Sequence, residues 1–423
     1  MVGRFVENLL YGERFAHLEQ WKFIDFKNMG VNLPSFVYCE AFFGLLFALS
    51  WYHAFCLQSS QAKRRYQICL FLAALLGGVG NDVIFTFLPL VDNFWHSQGT
   101  VMLSPRFPLY ILFWYAGWLY IPFSIASSMR IAAASPFVEA AMVSLLSACF
   151  YLPWDYVGAK FVWWSWHTTD NALGERWLGV PSASTLWTLV FGYMWAFIVR
   201  KCLGEKKSNE EHGLSVGVCF RTLCAVFTLS VPLMMVGMSC LGGLLTFQLP
   251  APPTTLSVLF TTVLLLSTFV HSLKTVAVPK VEGRPINPDN IWLLRLLVRL
   301  HFLFLFCVLM VFDPSNHIST GVHQEYGPCG VKALDISGLS RSLYTCPEDL
   351  GQSYVQHSVD SCGVKSNREV IEPSINGNTT HWYSICGKAK GDNWVIHACI
   401  VLGAAFTLFE VTVVAFLGEK GRI

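Results

Sequence analysis

Acidic residues inside apolar runs are the first groups in this sequence equipped to do chemistry. Asp82 sits in "GGVGNDVIF" and Asp155 in "LPWDYVGAK", and each run leads into a loop of tryptophan and histidine. A charge at the centre of a membrane helix costs roughly 2.5–3.5 kcal/mol on insertion scales, so each such residue needs a partner, an aqueous cavity or a shallow position. A carboxylic acid held in a low-dielectric wall stays protonated and can donate its proton to an electron-rich alkene, while aromatic faces stabilise the cation that forms. Asp82 and Asp155 are therefore the candidate acid and base. Asn81, His96, Trp163, Trp164, Trp166, His167 and Trp177 are the candidate substrate-binding residues around them.

Each feature also has a plainer use. The glycines of Gly77–Gly80 let helices approach closely, and Asn81 can hydrogen-bond Asp82 on such a packing face. Tryptophans gather at membrane interfaces without any ligand. What an aromatic belt leaves unexplained is that both acid-bearing helix ends run into Trp/His loops. Asp92, Trp95, His96 and Arg106 follow the first, and Lys160, Trp163, Trp164, Trp166, His167, Asp170, Glu175, Arg176 and Trp177 follow the second. His96 and His167 could join the acids around a metal, but lone histidines beside tryptophans are more often hydrogen-bonded interfacial groups. No H-E-x-x-H, G-x-S-x-G, P-loop or dinucleotide fingerprint occurs, so neither metal nor cofactor is expected. Glu40, Glu139 and Glu410 also fall in apolar runs. Glu139 and Glu410 lie near Arg130, Arg295 and Arg299 in depth and read as structural ion partners.

Holding such residues takes a membrane scaffold. The 423 residues are 54% hydrophobic and 13% charged, with a mean hydropathy of +0.48. A helix crosses a bilayer in about 20 residues, and apolar runs fall at about 34–58, 66–90, 108–132, 137–157, 183–201, 215–248, 254–276, 291–312 and 394–417. The expected fold is an all-α polytopic transmembrane helical bundle of about nine spans. A net charge of +2 gives no global field for nucleic acid, which is not an expected partner. Basic clusters at Lys63–Arg65, Arg130, Arg200, Lys274–Arg284 and the C-terminus recur on one side, which the positive-inside rule makes cytosolic. The N-terminus then lies outside, and residues 1–33, without the cleavage pattern of a signal peptide, read as an interfacial segment.

By the same count, residues 34–312 form an eight-span bundle, 313–393 an outer loop, and 394–423 the last span with a short cytosolic tail. The loop tests the count independently. It holds Cys329, Cys346, Cys362 and Cys386 and the sequon at Asn378, which suit an oxidising, glycosylating compartment. Their spacings fit no zinc pattern, so two disulfides are expected, in one of three pairings. The implied location is the plasma membrane or a secretory-pathway endomembrane.

Asp155, Trp164-Ser165-Trp166, Trp177, Gly179-Val180-Pro181 and Trp187 follow one another in an order that resembles the membrane-embedded carotenoid hydratases. The resemblance covers roughly residues 70–200 and implies a lipid-facing cavity lined by acids and aromatics, in proteins that add water to a polyene end. It departs from the family pattern at Ser184-Thr185, where an asparagine is usual, in the position of Trp187, and in a longer gap after Trp166. Three functions therefore stand beside one another. The first is an outward-facing site that binds a lipid, isoprenoid or polyene, as a binding or accessory subunit whose cysteine loop meets a protein partner. The second is an enzyme doing acid–base hydration, cyclisation or isomerisation on such a lipid. The third, a transporter or channel, calls for polar residues through the full membrane depth.

Overall fold

The computed structural model describes residues 21–87, 92–129, 135–203, 214–246, 254–276, 289–335, 339–346, 357–358, 370–371 and 380–416. Among them are ten α-helices: α1 (Phe26–Asn32), α2 (Pro34–Phe55), α3 (Gln61–Phe87), α4 (Tyr110–Ser127), α5 (Pro136–Lys160), α6 (Ser182–Leu203), α7 (Val216–Thr246), α8 (Thr254–Val276), α9 (Ile291–Val311) and α10 (Asp392–Phe416). Seven, namely α2, α3, α5, α6, α7, α9 and α10, contain stretches long and apolar enough to cross a membrane. Helix α4 is enclosed instead: all but two of its 18 residues are buried, and its tyrosines and tryptophans lower its hydropathy. Local chemistry sets the ends. Ser135 caps α5 by accepting from Val138 N at 3.3 Å, and Pro136 occupies the first turn, where its missing N–H costs nothing.

Small residues decide how closely the helices approach. Gly192 on α6 brings that helix against Ser144 and Ser147 on α5, at 3.4 and 3.7 Å from where a Cβ would sit. Gly77, Gly78 and Gly80 on α3 admit Trp195, Tyr115 and Phe227 respectively. The carboxylates at the far end of the bundle are ion-paired. Glu139, fully buried, meets Arg200 at 2.6 Å, and Glu410 meets Arg295 at 2.9 Å and Arg299 at 3.0 Å. The Glu410 pairs are those expected from the sequence; Glu139 takes Arg200 from α6, and Arg130 lies outside the described residues.

At the opposite end the chain adds β-structure to the helical bundle. A two-stranded ribbon joins β1 (Phe94–His96) to β4 (Trp164–Trp166), in the register Phe94↔Trp166, Trp95↔Ser165, His96↔Trp164, and two short antiparallel pairs are β2 (Met102–Ser104) with β3 (Phe107–Pro108) and β5 (Arg176–Trp177) with β6 (Val180–Pro181). The cysteine-bearing segment contributes β7 (Ile318–Tyr326), whose "ISTGVHQEY" pairs antiparallel with β11 (Thr380–Gly387), itself paired to β10 (His357–Ser358). A hairpin of β8 (Lys332–Leu334) and β9 (Ser340–Ser342) is closed by the Cys329–Cys346 disulfide, and Cys386 is disulfide-bonded as well. Cys362 and Asn378 lie outside the described residues.

Candidate functional site

The two acids that the sequence singles out are both inside the protein. Asp82 on α3 is 8% exposed and Asp155 on α5 is 0% exposed. Asp82 Oδ1 accepts from the Tyr115 hydroxyl at 2.9 Å and from Asn81 Nδ2 at 3.3 Å, and Asn81 also donates to the Tyr115 oxygen at 3.0 Å. Trp187 Nε1 on α6 donates to Asn81 Oδ1 at 3.2 Å. Asp155 Oδ2 accepts from the Ser184 hydroxyl at 2.5 Å. The remaining oxygens, Asp82 Oδ2 and Asp155 Oδ1, are buried with no hydrogen bond of normal geometry among the described residues. The Tyr151 hydroxyl, one turn before Asp155, is a further donor beside that carboxylate.

Aromatic rings tie the two acids into one locus. Trp187 lies 5.5 Å from Tyr151, 5.5 Å from Trp118 and 5.5 Å from Phe191 by ring centroids, and Trp118 lies 4.8 Å from Tyr151. Tyr151 is close enough to both carboxylates to feel their charges. Gly78 makes the cluster possible: a Cβ there would run into the Tyr115 ring. Tyr115, Trp118, Tyr151 and Phe191 were not among the residues read from the sequence. Tyr151 carried a signal in its i−4 spacing from Asp155, which puts both on one helix face; the α4 pair carried none, since contact with α3 is long-range.

The tryptophans of the second loop take a different position. Trp163 Nε1 donates to the Ser35 hydroxyl at 3.0 Å, and Ser35 in turn donates to His317 Nε2 at 2.6 Å. Trp164 and Trp166 form the ribbon with His96 and Phe94, and His96 Nδ1 bonds the Tyr110 hydroxyl at 2.6 Å. His167 is buried under β7, its Nε2 3.2 Å from Gln324 Nε2. Burial pushes the His167 imidazole down to about 3, with the Arg341 charge adding to it, and burial takes His323 to about 4. Trp177 is 56% exposed and meets Tyr156 edge-on at 5.4 Å. The tryptophan and histidine loops are thus the floor of a cap at this end of the bundle, with Ser97 bonded to Ser319 at 2.6 Å and Asp170 paired to Arg341 at 2.6 Å. The described residues bring Asn81 alone of the expected binding residues into hydrogen-bond contact with an expected acid.

No group of three or more His, Cys, Asp or Glu side chains suited to a metal occurs among the described residues. What the acid locus offers is hydrogen-bond acceptors in an aromatic surround: it can hold a donor-bearing head group, or exchange a proton with one.

The chain belongs to the family described as a domain of unknown function, DUF7802, whose model matches residues 18–414. No curated protein and no solved structure matches it.

Proposed function

We propose that this member of the family is a multi-pass membrane protein that binds a lipid, isoprenoid or polyene at the Asp82–Asp155 locus, as a binding or accessory subunit. One observation carries the reading: neither acid has a basic partner among the described residues, and each keeps a buried oxygen without a hydrogen bond of normal geometry. Leaving a buried polar group so costs about 1–3 kcal/mol, and a bound head group would remove that cost. Partial exposure of Tyr151, Ser184 and Trp187 in front of the enclosed Asp155 supports access from the side of the bundle. Purification of the full chain in nanodiscs, followed by extraction and mass spectrometry, tests this. One amphiphile class should be enriched over the bulk membrane and lost in Asp82→Asn and Asp155→Asn; identical lipid content in all three proteins refutes it. Conversion of that amphiphile by the wild type but not by the variants would make the same acids the acid–base pair of an enzyme.

The reading includes a topology of nine spans, adding α4 and α8 to the seven, with the cap outside and available to a protein partner and the C-terminus in the cytosol. The pairing of Glu139 and Glu410 at one end and the disulfide-bearing sheet at the other support it. In intact cells a C-terminal tag should resist external protease, and a glycosidase should reduce the mass of the wild type but not of Asn378→Gln. Digestion of the tag, or no glycosidase-sensitive mass, contradicts the topology.

A further inference from the structure

We infer that the head group held by Asp82 and Asp155 is a protonated primary amine, the head of a long-chain organic base; the inference rests on the reading of these acids as a lipid-head site. The first support is how this chain treats five of its other carboxylates; buried Glu40, whose oxygens accept from Thr100 N, is an exception. Asp92 pairs with Arg106 at 2.7 Å, Glu139 with Arg200 at 2.6 Å, Asp170 with Arg341 at 2.6 Å, Asp289 with Lys63 at 2.5 Å and Glu410 with Arg295 at 2.9 Å. Among the described residues Asp82 and Asp155 receive only neutral donors, Tyr115 and Asn81 for the first, Ser184 and Tyr151 for the second. What these two sites lack, and the paired ones have, is a positive charge.

Donor count and ring chemistry point the same way. A primary ammonium carries three N–H donors and a positive charge, and Asp82 Oδ2 and Asp155 Oδ1 are each left without a hydrogen bond of normal geometry. An alcohol has one hydrogen to give and no charge to set against a carboxylate. A quaternary ammonium has none. A phosphate head would set negative charge against two carboxylates with no arginine or lysine bonded to either among the described residues. The rings of Tyr151 and Trp187 beside the acids attract a cation through their faces. Partly exposed Ser184 and Trp187 give an apolar tail a route to the bilayer while its head stays inside.

The test uses three probes with one tail and different heads: octadecylamine, octadecanol and octadecyl phosphate, each titrated against the full chain in nanodiscs and read by native mass spectrometry. The amine should bind most tightly, and Asp82→Asn and Asp155→Asn should each weaken it by roughly tenfold to a hundredfold, the worth of a charge-assisted hydrogen bond. Octadecanol binding should change little in the same variants, which also shows that they are folded. Octadecanol or octadecyl phosphate binding as well as the amine overturns the amine assignment and leaves the lipid site standing. Binding of no probe, or equal binding of the amine by wild type and variants, removes both readings. Trp187→Phe, which keeps an aromatic face and gives up the bond to Asn81, should retain most of the amine affinity; complete loss there would assign the effect to the fold and overturn the charge argument.

Discussion

Gly78 is a residue on which the acid locus depends through what it leaves out. A methyl group at its Cβ position would collide with the Tyr115 ring, the ring whose hydroxyl donates to Asp82. Gly78→Ala should therefore cost about 1–3 kcal/mol, as overpacking does in other cores, and lower the melting temperature of the protein. Gly44 on α2 has nothing within 4 Å of its Cβ position, so Gly44→Ala should be neutral or slightly stabilising. Equal effects from the two alanines would show that the ring contact is not what Gly78 serves. Asp82 and Asp155 were legible in the sequence because an acid in an apolar run is conspicuous. Tyr115 and Trp118 were not, because an aromatic residue in an apolar run looks like any other core residue. Trp163, Trp164 and His167 stood out for their composition, and the structure uses them to seat the cap.

The β8–β9 hairpin shows how an element can be held by two unlike devices. The Cys329–Cys346 bridge closes it across a separation of 17 residues, and Arg341 on β9 pins it to the second loop through Asp170. Closing a loop of this size is worth about 3 kcal/mol in the chain-entropy account. Removing one partner of a buried ion pair costs about 3–5 kcal/mol, because the other charge stays buried alone. Arg341→Leu should thus loosen the hairpin at least as much as Cys329→Ser with Cys346→Ser. Hydrogen exchange should rise at β8, β9 and residues 167–173 in either variant, with α5 and α6 unchanged. Exchange confined to the hairpin, leaving 167–173 protected, would mean that Asp170 does not transmit the anchor. Cys329, Cys346 and Cys386 were readable as bridge cysteines, but nothing in their spacing told which loop the hairpin would grip, since Asp170 and Arg341 are 171 residues apart.

At the scale of the whole molecule, the helical bundle was readable because apolar runs of span length leave few other structures. The sheet was not, since "ISTGVHQEY" and "THWYSICG" become strands only by pairing with each other across the loop. The cap they complete should be sensitive to acid. His167 and His323 are held neutral by burial down to about 3 and 4, whereas a free imidazole titrates near 6.5. Between those values the unfolded chain binds more protons than the folded one, so stability falls as pH drops through that window and is unaffected by these groups above it. The melting temperature should be level from about pH 8 to 7 and decline below about pH 6.5, less steeply in His167→Gln; a rise on acidification would contradict this. The same cap carries a consequence for biosynthesis. Ser97 and Ser319, which meet across it, are 222 residues apart. At a translation rate of about 5–20 residues per second, the loop holding Trp95 waits on the order of 10–45 s for the strand that covers it. Through that interval the nascent chain presents bare indole rings, a hydrophobic mark by which folding helpers could tell an unfinished molecule from a finished one.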